Sequence, residues 1–338
     1  MRIAALVVLA VALICGAIVA AGAHPIETMG SLFQGALGWP VPPGETWSGR
    51  ALEGTLKEFT PLLIAGVAVF IALRAGLFNI GVEGQFLVGA LGCAVVALRV
   101  HGTPGILLGL LTGAVLGGLW ALPAGLIKAL RGGHEVITTI MLNNIAMLAT
   151  TALASGRFRD PNQQGTTTAS IPKDMMLPTI GADPKISVAI ALGLLMVIGL
   201  WIWLKKTVAG YELQAVGANP RAATLAGVDA KRTIIRAMTV SGAIGGLAGG
   251  LQVLAFEGRF FEGFSGGYGF DALGVALLAG GHPVLLIPSA LLFGVLNKGS
   301  TTIQVLHNVP KGISFVILGL LIVVFAAVRY RKAEGRES

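Results

Sequence analysis

The chain has 338 residues, 54% of them hydrophobic and only 12% charged. A soluble domain carries about twice that charge fraction, so lipid is the expected solvent for most of this surface. The net charge of +8 does not point to nucleic acid, because the basic residues sit at the ends of apolar runs and not in a patch interleaved with aromatics. Cys15 and Cys93 both fall inside apolar runs and make no disulfide framework. No Gly-Lys dipeptide occurs, which excludes a Walker A phosphate loop in this chain.

Marking every Asp, Glu, Lys and Arg leaves uncharged runs at 3–26, 59–73, 84–98, 100–127, 136–156, 186–204, 237–256, 272–297 and 312–328. Roughly 20 apolar residues cross a bilayer as a helix. The first run contains Ala21-Gly22-Ala23, which resembles a signal-peptidase site. Its apolar core is longer than the roughly 7–15 residues of a cleaved signal, so a retained first helix at 3–23 is expected. Residues 24–58 follow as an outer stretch, with Pro40, Pro42 and Pro43 and then a polar, helix-like part from Thr46.

The next two segments, 59–73 and 84–98, are unusually short and flank Gly76-Leu77-Phe78-Asn79-Ile80-Gly81-Val82-Glu83-Gly84-Gln85. Asn79 precedes Glu83 by four residues, and one helical turn would place both on one face. Two roles fit. Asn79, Glu83 and Gln85 line a path and offer hydrogen bonds to a polar, uncharged solute, or Asn79 caps the following helix and Glu83 favours its positive end. Further on, His134-Glu135-Val136-Ile137-Thr138-Thr139-Ile140-Met141-Leu142-Asn143-Asn144 opens the segment 136–156. Thr139 and Asn143 share a face there and either bind a neighbouring helix or face a pathway. His134 and Glu135 suit an interfacial or capping role.

Residues 157–185, rich in Pro, Thr and Asn, form a second outer stretch, and 205–236 form a long loop on the opposite side. Within that loop Asn219 is a good N-cap, Pro220 suits the first helical position and Gly227 the left-handed stop. A helix of about two turns is expected between them, as a docking element for a partner or as a surface helix on anionic lipid. The run 272–297 is broken by Gly280-Gly281-His282-Pro283, read as a turn between two short segments, and is preceded by the Gly-rich stretch Gly263 to Gly274. The halves 59–156 and 237–328 therefore both contain short, broken segments, the best sequence pointer to a substrate path. Unwound backbone at that depth has to be surrounded by protein or a water-filled cavity. The expected fold is all-α: one polytopic membrane domain over 1–338, with about ten transmembrane helices in two broken-helix halves.

With the amino terminus inside, 14 of the 24 basic residues fall on the cytoplasmic side, including Lys205-Lys206 and Arg329-Tyr330-Arg331-Lys332. The other 10 lie outside, nearly balanced by nine acidic residues. This bias favours cytoplasmic termini at both ends. His24, His101, His134, His282 and His307 are scattered without ligand spacing, so no metal site is expected. No Ser, His and carboxylate set converges on one segment end, and transport is favoured over catalysis. Amides and backbone with few buried charges suit nucleosides or sugars better than ions. An ion-coupled secondary transporter would need a buried relay, for which Glu83 and Asp271 are the candidates, and a passive channel would need no ATPase.

Taken together, the motifs Gly76–Gln85, His134–Asn143, Gly217-Ala218-Asn219-Pro220-Arg221-Ala222-Ala223 and Gly266-Gly267-Tyr268-Gly269-Phe270-Asp271, with the outer Asp160-Pro161-Asn162-Gln163-Gln164, resemble the ABC-transporter permeases of the simple-sugar and nucleoside uptake branch. That branch is related to the branched-chain amino acid and ribose permeases. The resemblance implies a ten-helix permease of the bacterial inner membrane, paired as a heterodimer with a second homologous permease. It also implies cytoplasmic ATP-binding subunits and an extracytoplasmic substrate-binding lipoprotein. This chain would hold no cofactor, ATP and Mg being bound by the ATPase. Phe78, Asn79, Glu83, Gln85, Thr139, Asn143 and Asp271 are the expected path residues. Asn219, Pro220, Arg221, Ala222, Ala223 and Gly227 would form the coupling helix that sits in an ATPase groove. Asn144 departs from the family pattern, which has an aromatic residue there, a change that tunes the path or its packing.

Overall fold

Apolar runs in hydrocarbon become helices because each backbone N–H and C=O must find its partner within the segment. The computed structural model describes residues 2–39, 41, 46–307, 309, 310, 312, 313, 315–317, 319, 320, 323 and 324. The described part of the 312–328 run is helical, while Pro40, Pro42, Pro43 and the basic run 329–332 lie outside the described residues. Twelve α-helices follow one another among the described residues: α1 (Arg2–Ala20), α2 (Pro25–Leu37), α3 (Arg50–Arg74), α4 (Val82–Ala97), α5 (Gly102–Arg131), α6 (Glu135–Ser155), α7 (Ala189–Lys206), α8 (Val208–Ala218), α9 (Pro220–Leu225), α10 (Ala230–Gln252), α11 (Tyr268–Ala279) and α12 (Leu286–His307). Six stretches are long and apolar enough to cross a membrane, or seven if the pair α1 and α2, bent by 97°, counts as one span.

The described residues separate into two compact units. One consists of the chain up to Phe59, residues 180–186 and the chain from Pro288 onward. In it, Thr55 Oγ1 donates to the Ala36 carbonyl at 2.6 Å, and Ser31 Oγ and His307 Nε2 hydrogen-bond at 2.8 Å. Gly299 packs against Leu32, and Gly294 against the backbone of Thr55 and Phe59.

The other unit, residues 60–179 and 187–287, carries the site. Its centre is built on glycine. In α5, Gly105, Gly109, Gly113 and Gly117 recur every fourth residue on the buried face. A Cβ on Gly117 would strike the Gly242 carbonyl of α10, and one on Gly246 would strike the Gly113 carbonyl. Likewise, α4 meets α10 where Gly89 faces Gly246 and Gly249 faces Phe86. Lipid tails are as apolar as leucine, so close backbone approach of this kind is what holds helices together in a membrane. The opposite faces of α5, α6 and α7 remain exposed, at Leu111, Leu119, Met141, Leu148 and Leu195 among others.

Two expectations about segment boundaries need correction. The polar stretch from Thr46 and the short segment 59–73 are not separate: they belong to the single 25-residue helix α3. Counting uncharged residues stops at Glu58, whereas the helix continues through Lys57 and Glu53, and an acidic residue in the first turn favours a helix start. The outer stretch 24–58 also contains α2, which begins at Pro25 and stops at Gly38 with φ 73°. By contrast, α4 with 16 residues and α11 with 12 are short as expected. At 1.5 Å per residue they reach roughly 24 and 18 Å, less than the ~30 Å hydrocarbon core.

The glycine seam yields a direct test. Gly117→Ala should destabilise the purified protein by about 1–3 kcal/mol through overpacking against the Gly242 carbonyl. Gly199→Ala, where nothing lies within 4 Å, should be neutral or up to about 1 kcal/mol stabilising through helix propensity. Chemical denaturation in detergent compares the two; equal effects would remove the seam from this account.

Candidate functional site

The chain enters the site through a helix stop. Gly76, with φ 73°, ends α3 in a Schellman arrangement, its N–H reaching the Leu73 carbonyl at 3.0 Å and the Leu77 N–H reaching Ala72 at 2.9 Å. The next residues are unwound until α4 begins at Val82. Asn79 lies in this unwound part, wholly buried. Its Oδ1 accepts from Gly81 N at 3.0 Å and Gln85 Nε2 at 3.2 Å, while its Nδ2 donates to Gln85 Oε1 at 3.1 Å and Ser241 Oγ at 2.8 Å. Ser241 in turn donates to the Ala68 carbonyl at 2.6 Å. One amide thus ties α3, α4 and α10 together.

Asn79 and Glu83 do not share a helical face, contrary to the four-residue spacing. Asn79 precedes the helix in an Asx turn, which competes with helical hydrogen bonding at such residues. Glu83 turns to a different neighbour. Its Oε2 accepts from Gly269 N at 2.8 Å, and Ser265 Oγ donates to Oε1. Gly269 lies in the first turn of α11, and a Cβ there would run into the Glu83 backbone, so only glycine permits this approach. A carboxylate on the first turn of a helix meets its unpaired N–H groups and the positive end of its dipole. Asp271 belongs to the same first turn and is half-buried.

Asn143 and Thr139 share the buried face of α6, as their spacing predicts. Asn143 Oδ1 accepts from Gly84 N and its Nδ2 donates to the Ile80 carbonyl, both at 2.9 Å, clamping the start of α4. The Thr139 hydroxyl donates to its own helix, at Glu135 and Val136, and its Cβ would crowd any side chain at Gly81. Phe78 is 45% exposed; its N–H points to Glu135 Oε1 at 3.5 Å, and Glu135 pairs with Lys128 Nζ at 2.8 Å. His134 occupies the N-cap position of α6 without a side-chain cap bond.

The expected short helix is present as α9. Asn219 Oδ1 accepts from Arg221 N at 3.0 Å and Ala222 N at 3.1 Å, Pro220 opens the helix, and Gly227 has φ 89°. Arg221, Ala222 and Gly227 are exposed, and Leu225 is 91% exposed, while Ala223 is buried. α9 is preceded by α8, and α8 rests on the end of α3. Arg74 Nη2 donates to Gln214 Oε1 at 2.5 Å, and the Gly217 backbone lies against Arg74, Ala75 and Gly76 closely enough to exclude a Cβ. α9 is thus one short backbone step from the Phe78–Asn79 turn.

Beside Glu83 a cavity of about 560 Å³ opens between the exposed flank of α6 and residues 260–270. Glu83, Asn143, Asn144, Phe261, Phe270 and Met147 are among its lining, while Asn79, Gln85 and Thr139 are not. Its wall belongs to an aromatic cluster in which Phe264 meets Phe260 at 5.2 Å, Phe261 at 5.4 Å and Phe86 at 6.0 Å between centroids. Residues 166–168 brace this wall: Thr168 N donates to the Phe260 carbonyl at 2.9 Å, and Glu262 N to that of Thr166 at 3.0 Å. Among the described residues no group of three or more His, Cys, Asp or Glu could hold a metal ion.

Compared with known proteins, residues 51–326 match the family of branched-chain amino acid transport system permease components. The chain belongs to this family. It is 36% identical to the guanosine ABC transporter permease protein NupP of Bacillus subtilis over 280 residues, covering 81% of this chain and 80% of the relative. With the nucleoside ABC transporter permease protein NupB of Lactococcus lactis it shares 32% over 330 residues, 93% and 87% of the two chains. The glucose ABC transporter permease protein TsgB13 of Haloferax volcanii is 32% identical over 333 residues, 94% and 84%. Both bacteria also have a second, more distant match. No solved structure matches. The chain is a multi-pass membrane protein and a permease subunit of an ABC importer.

Sequence reasoning missed several residues on which this permease site depends. Ser265 is a single hydroxyl in glycine-rich surroundings and Gly269 one glycine among many; their contacts with Glu83 are non-local. Ser241, as the one Ser in the uncharged run 237–256, carried a usable signal.

Asn79→Ala leaves Gln85 and Ser241 with fewer partners in a buried setting. It should cost roughly 1–3 kcal/mol of stability, read as a lower denaturation midpoint in detergent. An unchanged midpoint would mean that the network does not hold the turn.

Proposed function

We propose that this permease forms half of the translocation path for uncharged polar solutes, nucleosides in the first place and simple sugars in the second. The observation that carries this reading is the Glu83 carboxylate on the first turn of α11. Helix ends inside broken-helix transporters serve anionic groups of substrates; here the chain's own carboxylate fills that position. An anionic solute gains nothing from it, and a neutral one loses nothing. The relatives named for guanosine, nucleosides and glucose support the same class. Ion-coupled transport through Glu83 and Asp271 would require Glu83 to give up its bonds to Ser265 and Gly269.

The proposed assembly is a single permease domain over 1–338 with ten membrane segments. These are the six long spans, the bent α1–α2 pair, the short α4 and α11, and the 312–328 segment. Both termini face the cytoplasm of a bacterial inner membrane. A second homologous permease completes the path, in line with the paired matches in two bacteria. Separate ATPase subunits bind ATP and Mg, and a substrate-binding lipoprotein delivers solute from outside. Of the expected path residues, Glu83 and Asn143 border the cavity, while Phe78 is exposed and Asp271 half-buried. Asn79, Gln85 and Thr139 act by holding the helices. α9, from Asn219 to Gly227, is the coupling helix.

In proteoliposomes holding the whole transporter, unlabelled neutral nucleosides should compete with labelled guanosine, nucleoside monophosphates should not, and uptake should stop without ATP. Competition by monophosphates, or uptake abolished by a protonophore and indifferent to ATPase inhibition, would sink this reading. Arg221→Glu should cut uptake by roughly tenfold or more while the protein stays in the membrane, because a reversed charge in a protein interface costs several kcal/mol. Normal uptake by that variant would reject the coupling assignment.

A further inference from the structure

We infer that the cavity between α6 and residues 260–270 is this chain's solute subsite, with Asn144 as its specificity residue and Phe261 and Phe270 as its stacking wall. The inference rests on the solute class proposed above and adds the place of contact. Asn144 lies near the middle of α6, flanked on the same exposed surface by Ile145, Met141 and Leu148. Its Nδ2 donates to the Ile140 carbonyl of its own helix at 3.0 Å, which leaves the amide oxygen open to the cavity. An amide facing lipid at mid-helix costs several kcal/mol, so in the assembled transporter this position meets a polar partner.

The shape of the place says which partner. A helix–helix contact calls for small residues that let backbones approach. Here instead the amide borders a concavity of about 560 Å³, inside the roughly 300–1,000 Å³ range of small-molecule sites. Its lining surface is mostly apolar, as in such sites, with polar groups that include the exposed carboxylate of Glu262. Phe270 is 50% exposed although it adjoins the buried Tyr268–Gly269 turn, and Phe261 is half-buried. Aromatic faces accept any nucleobase by stacking, worth ~1–3 kcal/mol per base, and an amide can both donate to and accept from a base edge or a ribose hydroxyl. Glu83 borders the cavity with both oxygens already engaged, so it shapes the floor and presents no free charge.

Thiol protection in the reconstituted whole transporter tests this. In a Cys15→Ala, Cys93→Ala background, Asn144→Cys and Phe270→Cys should react with a water-soluble maleimide. Guanosine at about ten times its Kd should slow both reactions about tenfold, whereas Met141→Cys, which does not line the cavity, should react at the same rate with and without it. Independently, Asn144→Leu should shift the ratio of saturated uptake rates for purine and pyrimidine nucleosides by about three- to tenfold, the worth of one hydrogen bond. No protection at either cysteine while guanosine is still transported overturns the inference. So does loss of the second permease on purification of Asn144→Leu with position 144 never reactive, which would make this face an interface. If the wild type carries a sugar and no nucleoside, the preference for nucleosides proposed above fails; protection of both cysteines by that sugar would then still uphold the subsite.

Discussion

Backbone contact between α5 and α10 leaves no room for a methyl group, and the placement of every site residue follows from it. Gly117 against Gly242 and Gly113 against Gly246 set the crossing, and Gly89 and Gly249 seat α4 on the same surface. Where hydrocarbon surrounds the protein, burying apolar side chains yields little, so van der Waals contact at close range and hydrogen bonds decide which helices stay together. α4 is enclosed on nearly all sides as a result. Its first turn, with Asn79, Glu83 and Gln85 around it, lies inside protein, the one environment in which an unwound, polar turn is tolerated at that depth.

Two polar networks then divide the labour at the start of α4. The amide network of Asn79, Gln85 and Ser241 is closed: each member bonds another or a backbone carbonyl, and none reaches the cavity. Its role is to fix the turn against α3 and α10. The carboxylate network of Glu83, Ser265 and Gly269 links the broken helix of the first half to the broken helix of the second and borders the cavity. The Gly76 turn also bears on Gly217, at the end of α8.

How much of this was legible in the sequence depended on whether the deciding contact is local. α9 could be read in full, because Asn219, Pro220 and Gly227 act within one or two turns of themselves. The shared face of Thr139 and Asn143 was legible too, since helical periodicity alone places them. The helix-like part from Thr46 was legible, but its continuity with 59–73 was hidden because Glu53, Lys57 and Glu58 interrupt an uncharged run without interrupting a helix. The relation of Asn79 to Glu83 was misread for the opposite reason: helical spacing was extended into a turn. The four-residue glycine repeat of α5 was visible, but an inventory of charges is blind to it, and its partners on α10 are more than a hundred residues away. Gly269 lay inside a motif read for its resemblance, but nothing local pointed to its contact, or that of Ser265, with Glu83.

The internal carboxylate at α11 also separates frame from selectivity. Had the helix end been left open, the backbone itself would demand an anionic solute, and no change of side chains at the wall could alter that demand. With Glu83 in place, the backbone contribution is spent within the protein, and the cavity is bordered in part by exposed side chains that take no part in packing. Asn144 and Phe270 are such residues: neither is buried among the helices, and replacing either leaves the glycine seam and both polar networks intact. Position 144 is therefore one where the packing of the fold is indifferent to the side chain.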